Sequence, residues 1–307
     1  MIIDPEIGLV SYCGGNGQDA LYSIKQDNNG DYYISGESSS MDFPATAGAI
    51  QSRPNGSIDG YVMKFDANWK LQWTTFLGGS NDDRLVSLNI GKEYIWVSGE
   101  TLGYGYPITP DAIQKSYGGG SGDIVFTKLS KDGKLLYSSL FGSDRYDSSP
   151  EAVLDNNENL WLTGRTNSSP FRYTTDAEQI SGGNMYSAFI IKIDKNQNLK
   201  YSSLFASDNN VYGEGIACDS NNNIYITGIT DSKALPNSTK GFQSKNAGAY
   251  DAFVAKFDNS GKNVWSSFIG GSVSDICSNV AIDDNNNIYL FGNTNSTNFP
   301  VKNSNQD

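Results

Sequence analysis

One short text returns along the chain at a fixed interval, and that regularity limits the fold more than any other property. It reads Ser11-Tyr12-Cys13-Gly14-Gly15, then Thr75-Phe76-Leu77-Gly78-Gly79, then Ser139-Leu140-Phe141-Gly142-Ser143. It continues as Ser203-Leu204-Phe205-Ala206-Ser207 and Ser267-Phe268-Ile269-Gly270-Gly271, so positions 14, 78, 142, 206 and 270 are each 64 apart. Two more motifs keep the same period. Tyr33-Ile34-Ser35-Gly36 recurs at 96–99, 161–164, 225–228 and 289–292, and the run from Asp59 to Asp66 recurs at 123–130, 187–194 and 251–258. A repeat of this kind is one supersecondary unit that cannot bury its faces alone, so consecutive units must stack.

Each unit reads as four short strands. Strand a is apolar and ends at an Asp, as in Val153-Leu154-Asp155, Ile216-Ala217-Cys218-Asp219 and Val280-Ala281-Ile282-Asp283. An Asn/Gly turn leads to strand b, the aromatic-led run that ends in glycine. A long loop follows, holding Phe43-Pro44 or Phe299-Pro300 and Ala49-Ile50-Gln51. Strand c alternates, as in Phe253-Val254-Ala255-Lys256-Phe257, and a second turn leads to strand d, Val264-Trp265-Ser266-Ser267-Phe268. Period-two alternation, aromatic and β-branched enrichment and Asn/Gly/Asp turns mark antiparallel strands. Four such strands per repeat make a β-propeller blade.

The expected fold is therefore all-β, a single propeller domain over residues 1–307 with five four-stranded blades. The 307 residues fall slightly short of five repeats. Leu9-Val10-Ser11-Tyr12 has the text of an outer strand d, and the C-terminal end supplies strands a and b of the same blade, which predicts velcro closure by the N-terminal strand. The counterpart of strand c, seen at 252–256, is missing from that blade. Either the fifth blade is thin, with Met1–Asp4 standing in, or the sequence is a piece of a longer propeller; the five-bladed reading is favoured.

Several motifs falling in order in every repeat resemble the bacterial and archaeal SBBP-type β-propeller repeat. They include Gly78-Gly79-Ser80-Asn81-Asp82-Asp83, the run from Asp219 to Gly228, Phe43-Pro44-Ala45-Thr46 and Asp251-Ala252-Phe253-Val254-Ala255-Lys256. The resemblance covers nearly the whole chain. Repeat three departs most, with Gly142-Ser143 for Gly-Gly and Ser187 for Asp. The family is named for seven blades, more than this length supplies. It implies a propeller fold and a secreted or cell-surface setting, and it implies no reaction.

Composition excludes several functions. Lys+Arg number 22 against 34 Asp+Glu, a net charge of −12 and a pI near 4.4, which argues against nucleic acid and anionic membranes. The chain has no histidine, which removes His triads, His metal sites and His acid–base catalysis. No apolar run has the length of a membrane span. The three cysteines, Cys13, Cys218 and Cys277, lack CxxC spacing and read as buried free thiols. Met1-Ile2-Ile3-Asp4-Pro5-Glu6 is not a signal peptide. The composition then favours the mature form of a secreted protein over an intracellular one.

Candidate sites come from the repeat and from its breaks. Asp19, Asp83, Asp147 and Asp275 are equivalent, with Val211 interrupting the series. They could ring an axial opening as oxygen ligands for a cation, calcium being the only cofactor the pattern suggests. The competing and favoured reading is that each Asp ties down its own loop. The turns at Asp27, Asp155, Asp219 and Asp283 mimic the start of a calcium loop, but Ser38, Thr166, Thr230 and Thr294 stand where its bidentate Glu belongs, so they read as hairpin turns. After the strand-b glycine stand Glu37, Glu100, Arg165, Ile229 and Asn293. Four of the five arginines, Arg84, Arg145, Arg165 and Arg172, map to the loop face of repeats two and three, where guanidinium forks suit an anion. Tyr146 and Tyr212 could stack on a sugar there. The bland alternative is a set of surface ion pairs with Asp82, Asp144 and Glu151. Gly118-Gly119-Gly120-Ser121-Gly122 lacks the P-loop Lys and reads as a flexible loop. Trp73, Tyr137, Tyr201 and Trp265 read as packing between blades.

Three function classes compete. A binding or scaffold module would offer its loop face to a glycan or protein partner. A glycosidase would use funnel carboxylates drawn from Glu37, Glu100, Glu151 and Glu214. A structural spacer or surface-layer unit would need neither. Near-uniform repeats argue against catalysis, and the binding module is the preferred reading.

Overall fold

A computed structural model describes residues 11–182 and 185–302, apart from the side chain of Ser149. Eighteen strands and one short 3₁₀ turn at Ser238–Lys240 make up the described elements. Four sheets have four antiparallel strands each, in sequence order. The first holds β1 (Asp19–Gln26), β2 (Tyr32–Ser38), β3 (Asp59–Phe65) and β4 (Leu71–Leu77). The second holds β5 (Asp83–Ile90), β6 (Tyr94–Thr101), β7 (Asp123–Ser130) and β8 (Leu135–Phe141). The third holds β9 (Asp147–Leu154), β10 (Leu160–Thr166), β11 (Ser187–Ile193) and β12 (Leu199–Phe205). The fourth holds β13 (Val211–Cys218), β14 (Ile224–Thr230), β15 (Asp251–Phe257) and β16 (Asn263–Ile269). A fifth sheet has two strands, β17 (Asp275–Ile282) and β18 (Ile288–Thr294).

The turns carry out what their residues dictate. The leading Asp of each a–b turn accepts backbone N–H bonds two and four residues on: Asp155 from Asn157 and Asn159, Asp219 from Asn221 and Asn223, Asp283 from Asn285 and Asn287. The fourth residue is left-handed, as at Gly30 (φ 85°) and Asn222 (φ 63°), a conformation that Gly and Asn tolerate. The calcium-loop text is thus spent on hairpins.

The strand-b glycine has a different cause. Strand a carries a bulge in all five sheets, between Leu21/Ser23, Leu85/Ser87, Gly213/Gly215 and Cys277/Asn279 on strand a, and opposite Thr163/Arg165 in the third sheet. The bulge drives a carbonyl against strand b. A Cβ on Gly99 would lie 1.7 Å from the Arg84 oxygen, and one on Gly228 1.8 Å from that of Tyr212. Only glycine fits there.

The sheets stack face to face in chain order, with first strands in sequence along one side: β1 on β5, β5 on β9, β9 on β13, β13 on β17. The apolar cores lie between sheets. One joins Val62 and Leu77 to Leu85, Leu88 and Ile95; the next joins Trp96, Phe126 and Phe141 to Leu162, Phe189 and Ile191; a third joins Trp161, Ile190 and Phe205 to Ile226, Phe253 and Phe268. The strand-d aromatics pack between neighbours as expected: Trp73 Nε1 donates to the Lys131 carbonyl at 3.0 Å, and Tyr201 lies under Gly261.

The row is open. β1 and β17 make no packing contact comparable to the others. Leu21 is 49% exposed where its equivalent Leu85 is fully buried. Of the strand expected to close the ring, Leu9 and Val10 lie outside the described residues, and Ser11 and Tyr12 belong to no strand. All three cysteines are free, but Cys13 is exposed rather than buried. Its sulfur lies 3.2 Å from that of Met63, which belongs to the buried cluster of the first sheet.

Substituting Gly99→Ala should destabilise the protein by about 2 kcal/mol or more, because backbone rather than a mobile side chain stands in the way. Urea unfolding followed by tryptophan fluorescence checks this; an unchanged midpoint would show that the bulge does not fix the register.

Candidate binding site

A corner places a carboxylate at the start of four of the five strands a, Val211 standing in the fourth sheet. The N–H groups of Gly15, Gly79, Ser143 and Gly271 donate to Asp19, Asp83, Asp147 and Asp275 at 2.6–2.9 Å. Strand-b and loop hydroxyls complete the shell: Ser38 and Ser40 for Asp19, Thr166 and Ser168 for Asp147, Thr294 and Ser296 for Asp275. The four carboxylates proposed from sequence as a cation ring are therefore not brought together, since each is tied into its own corner. Among the described residues no group of three or more His, Cys, Asp or Glu could hold a metal.

A second carboxylate, at the start of strand c, reaches the same joint. Asp59 faces Asp83, Asp123 faces Asp147 and Asp251 faces Asp275 electrostatically. At the joint between the third and fourth sheets both members change, to Ser187 and Val211, so each of the four joints between described sheets carries two of these carboxylates or neither. Burial, with the neighbouring carboxylate adding to it, pushes Asp83 and Asp123 up to about 7. One oxygen of Asp123 and one of Asp251 are buried without a hydrogen-bond partner.

The breaks in the repeat do converge. Glu37 of β2, Arg84 of β5 and Glu100 of β6 form a triad across the first two sheets: Arg84 Nε lies 2.8 Å from Glu37 Oε2, and Nη1 lies 3.0 Å from Glu100 Oε1. Tyr22 bonds Glu37, and Tyr146 Oη reaches Glu100 Oε2 at 3.4 Å. Arg165 of β10 follows, its guanidinium 6.0 Å from the Tyr146 ring and 5.7 Å from the Tyr212 ring. Its Nε bonds Ser148 Oγ at 3.3 Å, and no carboxylate lies within 4.0 Å of it among the described residues. Tyr186 packs on Tyr212 with ring centres 5.3 Å apart.

Beside this row opens a depression of about 500 Å³ lined by Gly120, Ser121, Asp144, Arg145, Tyr146, Asn167 and Tyr186. The glycine run, expected to be a loose loop, is held here: Ser121 N–H bonds the Arg145 carbonyl at 3.0 Å, and Gly122 bridges Tyr146. Arg172 stands apart on the loop against β12, where its carbonyl accepts from Ser202. Tyr186 and Asn167 were not singled out from sequence. The same comparison of equivalent positions could have found Tyr186, which aligns with Ile58, Gly122 and Tyr250. Further along the first strands, burial raises Glu151 to about 7 and raises Glu214 beside it.

Stability should depend on pH through the joints. Asp83 and Asp123 have folded pKa values above the unfolded value of about 3.9, so their contribution is complete below that value and lost as pH rises through about 7. Asp194, Asp219 and Asp258, lowered by turn hydrogen bonds that outweigh burial, act oppositely and lose their contribution in acid. The melting temperature should rise from pH 8 to pH 5 and fall again in stronger acid, with Asp123→Asn flattening the rise. A wild-type profile flat between pH 5 and 8 would contradict it.

Residues 200–236 and 264–300 match the family model described as SBBP, Beta-propeller repeat. No curated protein matches the chain. Among solved structures, the chain is similar to the crystal structure of a protein of unknown function from Dyadobacter fermentans, at 11% identity and a TM-score of 0.51. That match covers 91% of this chain and 76% of the other, and it shows likeness of fold alone. Each family match runs from an outer strand across the corner into the first two strands of the next sheet. Two segments of the chain, 200–236 and 264–300, thus match the SBBP β-propeller repeat.

Proposed function

We propose that the protein is an extracellular or cell-surface binding module, its five sheets acting as consecutive blades about one axis. The ligand is a carboxylate-bearing glycan or an acidic protein segment. One observation carries this reading: Arg165 stands between Tyr146 and Tyr212 with no carboxylate within 4.0 Å among the described residues, Glu214 acting on it only at longer range, beside the depression that holds Arg145. A guanidinium with free donors flanked by aromatic rings suits an anionic sugar, since the fork takes the carboxylate and a ring takes the sugar face. Arg84 is already engaged by Glu37 and Glu100, which supports a framing role for the triad. The same engagement removes Glu37 and Glu100 as a free acid–base pair and weighs against the glycosidase alternative. The cell-surface setting is carried by the family resemblance.

A glycan array including uronic-acid and sialylated structures tests the reading, run with and without millimolar calcium. Binding should be selective for acidic glycans, independent of calcium, and at least tenfold weaker in an Arg145→Ala/Arg165→Ala variant, the loss expected for a charge-assisted contact of about 1.5 kcal/mol or more. Binding that survives the double substitution would remove this site.

A further inference from the structure

Repeat two departs from its neighbours in two loops, and each departure brings in a tyrosine. The third residue past strand b is Met41, Ser169, Lys233 and Thr297 in the other repeats and Tyr104 in this one. The third residue past the loop glutamine is Pro54, Gly182 and Asn246 elsewhere and Tyr117 here. That glutamine fixes the comparison, because Gln51, Gln114, Gln179 and Gln243 each accept the backbone N–H just past their strand d. Between it and strand c, the glycine run makes the loop of repeat two one residue longer than its equivalents.

The two new rings meet. Tyr104 and Tyr117 pack edge to face with ring centres 5.2 Å apart, and Tyr104 is 68% exposed. Both loops are pinned. The Tyr104 carbonyl accepts the Ser80 N–H at 2.7 Å, and the Leu102 N–H donates to the Asp82 carbonyl at 2.9 Å. The Tyr117 hydroxyl donates to the Gly120 carbonyl at 3.2 Å, which ties its ring to the glycine run. Large amphipathic rings held in this way offer contact area at little cost in conformational entropy.

The glycine run also joins the pair to the anion site. It lies in step along the corner of the third sheet, with Gly118 against Ser143, Gly120 against Arg145, and Gly122 bridging Tyr146. A Cβ on Gly120 would lie 1.9 Å from the Arg145 oxygen, so this close approach needs glycine. Gly120, Arg145 and Tyr146 line the depression described above. Tyr104 and Tyr117 do not line it; they border it as a separate surface, reached through the Tyr117–Gly120 bond.

We propose that Tyr104 and Tyr117 form a second subsite, which takes a neutral sugar unit linked to the acidic sugar held at Arg145 and Arg165. This rests on the anion-site reading above and narrows it, since the ligand becomes an oligosaccharide rather than an acidic peptide. The charge around the pair favours that choice. Asp82 and Asp144 flank the two loops, so a second carboxylate would be repelled there, whereas a neutral sugar brings none. Its flat C–H face packs on the open Tyr104 ring, and its hydroxyls stay at the wet rim.

The probes are two pairs: free glucuronic acid against glucuronosyl-xylose, and free sialic acid against sialyllactose, titrated into the full chain by isothermal calorimetry. In the pair that binds, the oligosaccharide should bind at least tenfold more tightly than the acidic monosaccharide. Tyr104→Ala should abolish that difference and leave the monosaccharide affinity unchanged, while Tyr104→Phe, which keeps the ring, should retain it. A circular-dichroism melt confirms that both variants are folded. Arg145→Ala/Arg165→Ala should weaken both members of the pair. Equal affinities of the two members for the wild-type chain would overturn the proposal. So would a Tyr104→Ala variant that weakens both members alike, or an oligoglutamate peptide that displaces the oligosaccharide. Loss of binding in the arginine variant with none of the expected change in Tyr104→Ala would remove the second subsite alone. Absence of binding by all four probes would remove the anion site together with it.

Discussion

The largest apolar cores of this protein lie between sheets. Most large apolar side chains are buried against a neighbouring sheet, so burial, the main favourable term in folding, is realised chiefly by stacking. The first sheet adds a smaller cluster of its own, Ile34, Phe43, Tyr61, Met63 and Phe76. The rest of the architecture serves that constraint. Bulges in strand a and the glycines opposite them set how the inner strands lie. The strand-d aromatics fill the gap beneath the neighbour's turn. The terminal sheets show the same rule from the other side: Leu21 and Tyr289 are exposed because nothing described lies against them.

The joints between sheets are where charge is handled. A corner carboxylate satisfies backbone N–H groups that the chain reversal leaves without strand partners, which is the use to which buried acids are best put. The facing carboxylate on strand c then makes the joint sensitive to protonation. The joint between the third and fourth sheets omits both members, and the third sheet and its leading corner also contribute Arg145, Tyr146 and Arg165 to the candidate site. The divergence in frame thus borders the divergence in surface.

The binding row follows from broken symmetry rather than from any motif. Glu37, Glu100 and Arg165 occupy one equivalent position in three consecutive sheets, and stacking sets them along one line with Arg84 and Tyr146 between them. Glu37 and Glu100 engage Arg84, while Arg165 is left to two tyrosine faces. Which charges pair could not be read from spacing, because the partners lie on different sheets.

The sequence by itself determined the repeat, the four-strand unit, the hairpin turns and the packing role of Trp73 and its equivalents. Each of these depends on local chemistry: side-chain alternation, Asp and Asn in turns, glycine beneath a bulge. It also placed Arg145, Arg165, Tyr146 and Tyr212 in one neighbourhood, since equivalent positions of stacked repeats are neighbours. It misjudged Cys13 and included Arg172 in the cluster, and it left open whether Asp19, Asp83, Asp147 and Asp275 ring an opening or each tie down a loop. Those depend on which faces are covered and which way a side chain turns. Only the tertiary structure decided them, because burial and hydrogen-bond partners at a joint come from residues of a different repeat.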